Sequence, residues 1–199
     1  MTGAVKKITL ASGSAIRAAI LRGAGVDFDI VRPGVDESAI KEAALAEGKT
    51  LRDAAQLLAD AKAQAVAAAG AVIASDQILN FRGRGFDKPQ SMDEARERLL
   101  ELQGAAHSLI NAVTIARDGE IAFRHIDEPR LFMRPMTATE IDMYLAAAGE
   151  EILESVGAYQ VEALGSRLFD KIEGDYFAVL GLSLHPVLGY LRREGFLAF

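Results

Sequence analysis

The chain contains 199 residues, of which 50% are hydrophobic and 25% are charged, and its formal net charge is −6. This composition is typical of a folded globular protein, while the acidic balance argues against stable binding of nucleic acid, which usually requires a basic surface. The chain has no cysteine, which excludes disulfides, and its three histidines are too dispersed to predict a zinc site. It has no apolar run of membrane-spanning length and no signal-peptide core near its start, which favours a cytoplasmic protein without membrane association.

The first half of the chain alternates predicted strands and helices. Its elements are, in order, a strand over residues 7–11, a helix over 15–22, a strand over 26–31, a helix over 50–69 and a strand over 72–79. The helix over 50–69 is the clearest of these, because Thr50 and Asp53 form a capping box at its start and Gly70 follows its end.

The second half continues this alternation and adds a hairpin. Its predicted elements are, in order, a helix from Ser91 to about Gly104, strands over 107–116 and 121–133, a helix that opens at Thr137, and a last helix that Ser183 caps and that runs to Gly195. Asp118-Gly119 between the two strands suits a hairpin turn. The interleaving predicts an α/β fold, the hairpin predicts a mixed sheet, and the absence of repeats and linkers predicts one domain over residues 1–199.

One carboxylate interrupts the apolar strand over residues 72–79. Asp76 lies there between Ser75 and Gln77, and a turn leads on to Lys88. An ionised carboxylate in apolar surroundings is strongly destabilising unless a cation or a metal compensates its charge. Asp76 is therefore a candidate functional residue, with Lys88 as a candidate partner, and we expect it at the carboxyl end of its strand, where open α/β sheets commonly bind ligands. The alternative is a structural aspartate at a strand–turn boundary.

Two further segments carry groups that suit phosphate or metal binding, and each has a structural alternative. The turn Ser12-Gly13-Ser14 with Arg17 can bind an anion through hydroxyls, backbone N–H groups and the guanidinium, or Ser14 can simply cap a helix. Asp36 and Glu37 can supply oxygen ligands to a divalent cation such as Mg²⁺, or can simply begin a helix at its positive end.

Lys62 is placed on an unexpected face of its helix. It lies four residues from both Leu58 and Val66, and so it shares their apolar face instead of the solvent face. Its ammonium group therefore either points into the interior or extends along the apolar face to solvent.

In their order along the chain, these segments resemble the Maf-type nucleoside triphosphate pyrophosphatases, a family also called septum formation inhibitor Maf. The N-terminal part of the resemblance consists of Ala11-Ser12-Gly13-Ser14 with Arg17, Val35-Asp36-Glu37, Ala61-Lys62-Ala63, Ser75-Asp76-Gln77 and Lys88-Pro89. The C-terminal part consists of Gly157-Ala158-Tyr159, Ile172-Glu173-Gly174-Asp175-Tyr176 and Val179-Leu180-Gly181-Leu182-Ser183-Leu184. The resemblance is nearly end to end, which favours the functional interpretation of each segment.

The resemblance implies a hydrolase acting on acid anhydrides, which cleaves a nucleoside triphosphate to the monophosphate and pyrophosphate and so keeps non-preferred nucleotides from being incorporated. Asp76 corresponds to the family's proton acceptor, and Lys62 and Lys88 join it as catalytic residues. Whether Asp76 acts as the base or as a metal ligand stays open. The implied substrate-binding residues are Ser12, Ser14, Ile16, Arg17, Gln77 and Glu162.

The resemblance also implies a cofactor, an architecture and a partner. A divalent cation, Mg²⁺ or Mn²⁺, is expected on Glu37 and Asp76. The expected architecture is a mixed, twisted sheet flanked by helices, with two lobes around a deep cleft. A homodimer is expected as well.

Three positions, Ile16, Gln77 and Glu162, bear on the base of the substrate. Family members that prefer thymidine and uridine triphosphates usually carry Pro-Arg-Arg, Asp-Thr and a glutamine at these places. This chain has Ala15-Ile16-Arg17, Asp76-Gln77 and Glu162 there. Gln77 and Glu162 instead resemble the branch that acts on 7-methyl-GTP, and a glutamate can accept hydrogen bonds from N1–H and the exocyclic amine of guanine. Ile16 fits neither branch. It differs from the Pro-Arg-Arg pattern, and it is not an aromatic residue that could stack a methylated, cationic base.

Two alternatives compete with this enzyme. The family's older name implies a nucleotide-binding regulator of cell division with little catalysis, which would have less need of two acids beside the cations. A sugar-phosphate or dinucleotide enzyme would carry a Gly-x-Gly-x-x-Gly turn after the first strand, and this sequence has none there.

Overall fold

The computed structural model describes residues 6–199, which form an α/β structure on one mixed, open sheet of eight strands flanked by helices. The strands are β1 (Ile8–Ala11), β2 (Asp29–Val31), β3 (Ala71–Phe81), β4 (Arg84–Phe86), β5 (Ala106–Arg117), β6 (Glu120–Asp127), β7 (Arg130–Met133) and β8 (Phe169–Glu173). The α-helices are α1 (Ala15–Gly23), α2 (Glu37–Ala46), α3 (Leu51–Gln64), α4 (Met92–Leu102), α5 (Ala138–Ala148), α6 (Tyr176–Val179) and α7 (Leu184–Arg193), and 3-10 helices cover Glu150–Glu154 and Leu164–Leu168. The predicted fold class is confirmed.

The sheet combines parallel and antiparallel pairs. Its strand order is β2-β1-β3-β5-β7-β8, with β4 paired to β3 and β6 paired to β5. β1 is parallel to both β2 and β3, whereas β3–β4, β5–β6, β5–β7 and β7–β8 are antiparallel. The predicted hairpin joins β5 to β6 through Asp118 and Gly119, whose positive φ angles of 52° and 84° suit a two-residue turn.

The chain divides into two compact units, which agrees with the predicted number of lobes. The first contains the chain up to Asp76, residues 111–127 and residues 181–199, and the second contains residues 77–110 and 128–180. The division passes through β3, between Asp76 and Gln77. Among the described residues, no helix is both long and apolar enough to cross a membrane.

Small side chains bring α3 close to the sheet in the first unit. A buried cluster joins Ala63 and Val66 to residues of three strands, namely Ala11 of β1, Val72 and Ala74 of β3, and Ala116 of β5. Because alanine side chains are short, the helix backbone can approach the strands closely. Lys62, which precedes Ala63, is therefore held beside β3. The core of the second unit is built instead from large residues, including Leu99 and Phe81.

Three predicted boundaries are wrong, two of them for identifiable reasons. β2 begins at Asp29 instead of residue 26, because the N–H of Val26 bonds to Leu21 O at the end of α1 and cannot join a strand. α3 ends at Gln64, and Val66 packs into the core cluster from outside the helix. The predicted strand over 121–133 is two strands, β6 and β7, separated by a segment that contains Pro129, which has no N–H to donate to a sheet.

The predicted starts of helices agree with the structure better than the predicted ends do. Thr50 with Asp53 and Thr137 with Glu140 form complete capping boxes at α3 and α5. Ser91 caps α4 by accepting the Glu94 N–H, but the Glu94 carboxylate accepts from the Gln90 N–H instead of closing the box. The caps Thr50, Ser91 and Thr137 are thus well predicted, because their bonds are local.

Candidate active site

Asp76 is ion-paired with Lys62 in the first unit. Lys62 Nζ donates to Asp76 Oδ1 at 2.7 Å, and the two side chains are only 8% and 7% exposed. The predicted place of Asp76 at the end of its strand is wrong, because β3 continues to Phe81. β3 pairs in parallel with β1 only as far as Ile73, however, so Asp76 lies just beyond the part of β3 that pairs with β1.

Lys62 also contacts Glu37, so that one ammonium joins two carboxylates. Lys62 Nζ lies 2.8 Å from Glu37 Oε2, and the Glu37 side chain is 58% exposed. Asp36 is the N-cap of α2 and accepts from the Ala39 N–H at 3.0 Å. Asp36 therefore begins a helix, whereas cation binding by Glu37 stays a prediction. The ammonium of Lys62 points inward, and the solvent-directed alternative is wrong.

Lys88 belongs to the second unit, where it pairs with another acid. Its Nζ lies 2.8 Å from Glu154 Oε2, and both side chains are exposed. The cation that the structure gives to Asp76 is Lys62, which lies 14 residues before it in sequence. A catalytic role for Lys88 stays a prediction.

The turn after β1 is organised by its own hydroxyls. Ser14 is the N-cap of α1 and accepts from the Arg17 N–H at 3.4 Å, while the Ser14 N–H donates to Ser12 Oγ at 3.1 Å. Ser12 is buried, and Ile16 on the first turn of α1 is partly buried. Ser14 is therefore a helix cap, and this role is compatible with an anion site because both use the positive end of α1.

Arg17 connects three segments of the first unit. Its Nε donates to Gly181 O at 2.8 Å, and its Nη1 donates to Ser75 O at 2.7 Å and to Ser12 Oγ at 3.4 Å. Burial lowers the pKa of the Arg17 guanidinium, and the negative charges of Asp76 and Glu37 oppose that shift. The guanidinium is thus held within electrostatic reach of both acids.

A buried polar network behind Arg17 contains a residue that the sequence interpretation missed. The amide of Asn111, with its nitrogen towards Gly181 O (2.9 Å) and Ser75 Oγ (3.1 Å), accepts from Ser183 Oγ (2.9 Å) and Ser183 N (3.2 Å). Ser183 does occupy the N-cap position of α7, but its hydroxyl makes no bond to that helix, so the predicted side-chain cap is wrong. Asn111 carried the same signal as Asp76, a polar residue within an apolar strand.

Gly181 has a conformation and a position that suit only glycine. Its φ angle is +97°, and a Cβ atom there would lie 3.3 Å from Arg17 Nε and 3.4 Å from Arg17 Nη2. Any side chain at Gly181 would therefore be strained and would press on the guanidinium.

Gln77 and Glu162 lie in the second unit, where they have different surroundings. Gln77 Nε2 donates to Ala178 O at 2.8 Å and to Val179 O at 3.1 Å, which satisfies two carbonyl groups at the end of α6. Glu162 is exposed. The structure thus gives the amide nitrogen of Gln77 two backbone partners and leaves Glu162 exposed, and a substrate-binding role for either residue stays a prediction.

Arg98 is a buried cation in the second unit that the sequence interpretation also missed. It is 5% exposed, and its Nη1 donates to Asp87 O, next to Lys88, and to Val156 O at 2.6 Å. Arg98 shares the apolar face of α4 with Ala95 and Leu102, which are three residues before it and four after it. The helical spacing that singled out Lys62 would therefore have found Arg98.

The carboxylates of Asp76 and Glu37 suit a metal ion that also binds a substrate. Within residues 6–199, no group of three or more histidine, cysteine, aspartate or glutamate side chains could hold a metal ion. Asp76 and Glu37 converge on the single nitrogen of Lys62. Mg²⁺ is commonly bound by one or two carboxylates together with substrate phosphates, so this donor pair fits such an ion.

Comparison with known proteins identifies the family. The model of the family described as Maf-like protein matches residues 7–194. The chain belongs to the Maf-like family. The nucleoside triphosphate pyrophosphatase of Caulobacter vibrioides is 50% identical to it over 190 residues, which cover 94% of this chain and 96% of the relative.

Two further relatives carry different names. The nucleoside triphosphate pyrophosphatase of Hyphomonas neptunium is 44% identical over 187 residues, which cover 93% of this chain and 94% of the relative. The 7-methyl-GTP pyrophosphatase of Brucella abortus is 42% identical over 191 residues, which cover 94% and 96% of the two chains. The predicted family resemblance is confirmed, and it covers nearly all of this chain.

Proposed function

We propose that this protein is a nucleoside triphosphate pyrophosphatase, which hydrolyses a nucleoside triphosphate to the monophosphate and pyrophosphate. The observation that carries the proposal is the buried Lys62, whose ammonium joins Asp76 and Glu37 in the first unit. Arg17, whose positive charge interacts with both acids, and the Ser12–Ser14 turn belong to the same unit. The names of the relatives support the same reaction.

The reaction breaks the bond between the α and β phosphates. A water molecule attacks the α phosphorus, gives up a proton to a base, and displaces pyrophosphate, which leaves with the bonding electron pair. Asp76 is the proposed proton acceptor, and Lys62 is placed to neutralise the charge of that carboxylate. Arg17 and Lys62 supply positive charge where negative charge develops, which stabilises the transition state.

A divalent cation, Mg²⁺ or Mn²⁺, is proposed to bind Glu37 and Asp76 together with the phosphates. Such an ion supplies charge neutralisation and activates the phosphoryl group or the water when it is bound. The chain contributes the two carboxylates, and Lys62 holds them close to one another before any ion binds.

Glu162 is the proposed reader of a guanine base, and a 7-methyl-GTP-like substrate is the proposed preference. Its exposed carboxylate can accept two hydrogen bonds from a guanine edge. The amide of Gln77 donates to backbone carbonyl groups, so we assign Gln77 to supporting the end of α6. The predicted homodimer, cytoplasmic location and role in cleansing the nucleotide pool stay predictions.

The test is an assay of pyrophosphate release from a panel of nucleoside triphosphates, including 7-methyl-GTP, in the presence of Mg²⁺. We expect release by the wild-type protein and at least a hundredfold loss in Asp76→Asn, which keeps the shape of the side chain and removes its charge, about the loss seen when one catalytic group is removed. Asp142→Asn is the matched control, because the carboxylate of Asp142 is exposed and forms an ion pair with Arg96 on the surface.

Two outcomes would contradict the proposal. Absence of pyrophosphate from every nucleotide with the wild-type protein would favour the regulator over the enzyme. Near-full turnover by a folded Asp76→Asn variant would refute the role of that carboxylate while leaving the activity itself established.

A further inference from the structure

Arg32 follows β2 at the edge of the sheet where the Ser12–Ser14 turn follows β1. The two strands are parallel, and their register pairs Ala11 with Val31, the last residue of each. Ser12 and Arg32 therefore leave neighbouring strands side by side at their carboxyl ends. Open α/β sheets commonly bind ligands at such an edge.

The side chain of Arg32 lies against that turn. A Cβ atom placed on Gly13 would be 3.2 Å from Arg32 Nε, and 3.5 and 3.6 Å from its Cδ and Cγ. Glycine at position 13 thus leaves room for the arginine to lie over the turn. The Arg32 side chain is exposed to solvent there, so an anion that reaches the turn also reaches the guanidinium.

The charge of Arg32 is available, whereas the other cations of the first unit's site are occupied. Lys62 contacts two carboxylates, and the guanidinium of Arg17 donates to the carbonyl groups of Gly181 and Ser75. For Arg32 the described part of the chain provides neither a hydrogen bond nor an ion pair.

The formal charges of the site leave a need for a further cation. Asp76 and Glu37 balance the formal charges of Lys62 and Arg17, so the net positive charge that these groups offer to a ligand is only that of the proposed divalent cation. A nucleoside triphosphate and the pyrophosphate that leaves it carry several negative charges. A guanidinium suits such a ligand, because its fork of N–H groups can donate two parallel hydrogen bonds to phosphate oxygens.

We infer that Arg32 binds the polyphosphate of the substrate and the pyrophosphate product, as a further substrate-binding residue beside the Ser12–Ser14 turn. The inference rests on the proposed function for the identity of the substrate. The contact itself requires only a polyphosphate anion.

Isothermal titration calorimetry with inorganic pyrophosphate, in buffer that contains Mg²⁺, tests the inference without turnover. We expect Arg32→Ala to raise the dissociation constant about tenfold and Arg32→Lys to raise it about threefold, because lysine keeps the charge and loses the fork. The loss should shrink as salt is added, since the site is exposed. Arg22→Ala is the matched control, because Arg22 is an exposed arginine on α1 whose guanidinium lies 5.5 Å from the centre of the Phe28 ring.

The possible results separate this inference from the proposed function. Equal affinity of Arg32→Ala and the wild type, an equal loss in Arg22→Ala, or no binding by the wild type would overturn the role of Arg32. If Arg32→Ala alone weakens binding, the inference stands, even where the wild type releases no pyrophosphate from any nucleotide and the proposed function fails.

Discussion

Replacing Lys62 with methionine is expected to lower the free energy of unfolding, because it removes the cation from a buried carboxylate. Methionine has nearly the length of lysine and can fill the same space on α3. Asp76 would remain 7% exposed with no cation in hydrogen-bond contact from α3, and Glu37 would lose its contact as well. The variant therefore isolates the charge of the ammonium from the packing of its side chain.

The expected cost follows from the burial of each pair. Removing one partner of a buried ion pair costs about 3–5 kcal/mol. The Glu37 pair adds about 1 kcal/mol at most, because its carboxylate is 58% exposed. Taking the lower end, we expect a loss of about 3 kcal/mol, which corresponds to a fall in Tm of about 6–12 °C for a chain of this length.

The assay is thermal unfolding of the wild type, Lys62→Met, Asp76→Asn and the double variant. The double variant has no uncompensated carboxylate at position 76, so we expect it to recover about 2 kcal/mol relative to the sum of the single losses. Lys49→Met is the control, because Lys49 forms an exposed pair with Glu47. Its loss should stay below about 1 kcal/mol.

The charge-compensation argument fails if Lys62→Met unfolds at the wild-type temperature, or if the two single losses add in the double variant. Additivity would mean that Lys62 and Asp76 contribute independently, in spite of the 2.7 Å between Nζ and Oδ1.

Two further predictions concern Gly181 and His107. We expect Gly181→Ala to cost about 1–3 kcal/mol in thermal unfolding and to lower kcat/KM, because φ is +97° and the new Cβ would lie 3.3 Å from Arg17 Nε; unchanged stability and kinetics would contradict the positioning of Arg17. Burial lowers the pKa of His107 to about 4, below its unfolded value of about 6.5, so the unfolded chain binds more protons between these values and stability falls as the pH falls through that range. In urea unfolding, the fall in the free energy of unfolding over that pH range should be about 3 kcal/mol smaller in His107→Gln than in the wild type. An identical pH dependence in the variant would refute this assignment.

The residues of the candidate site were predictable where an unusual residue type stands in a regular pattern. Asp76 interrupts an apolar strand, and Lys62 lies on the apolar face of a helix. Asn111 and Arg98 carry the same two signals and were missed. Arg32 carries no such signal, because an arginine after a strand is ordinary in sequence and becomes notable only beside Gly13.

The partners of these residues were less predictable. Lys88 and Lys62 lie at similar distances from Asp76 in sequence, yet the structure gives Asp76 the ammonium of Lys62 and pairs Lys88 with Glu154. Separation in sequence could not choose between the two lysines, whereas the packing of α3 on β3 through alanine side chains brings Lys62 to Asp76.

By itself, the sequence determined the α/β class, most of the helix starts, the hairpin and the family, because apolar periodicity, caps and turn residues act over a few positions. The tertiary structure alone decided which charges meet. Arg17 bonds to Gly181 across 164 residues, and Lys62 joins acids from α2 and β3. Such contacts depend on the packing of whole elements, which brings distant residues together and which no local pattern encodes.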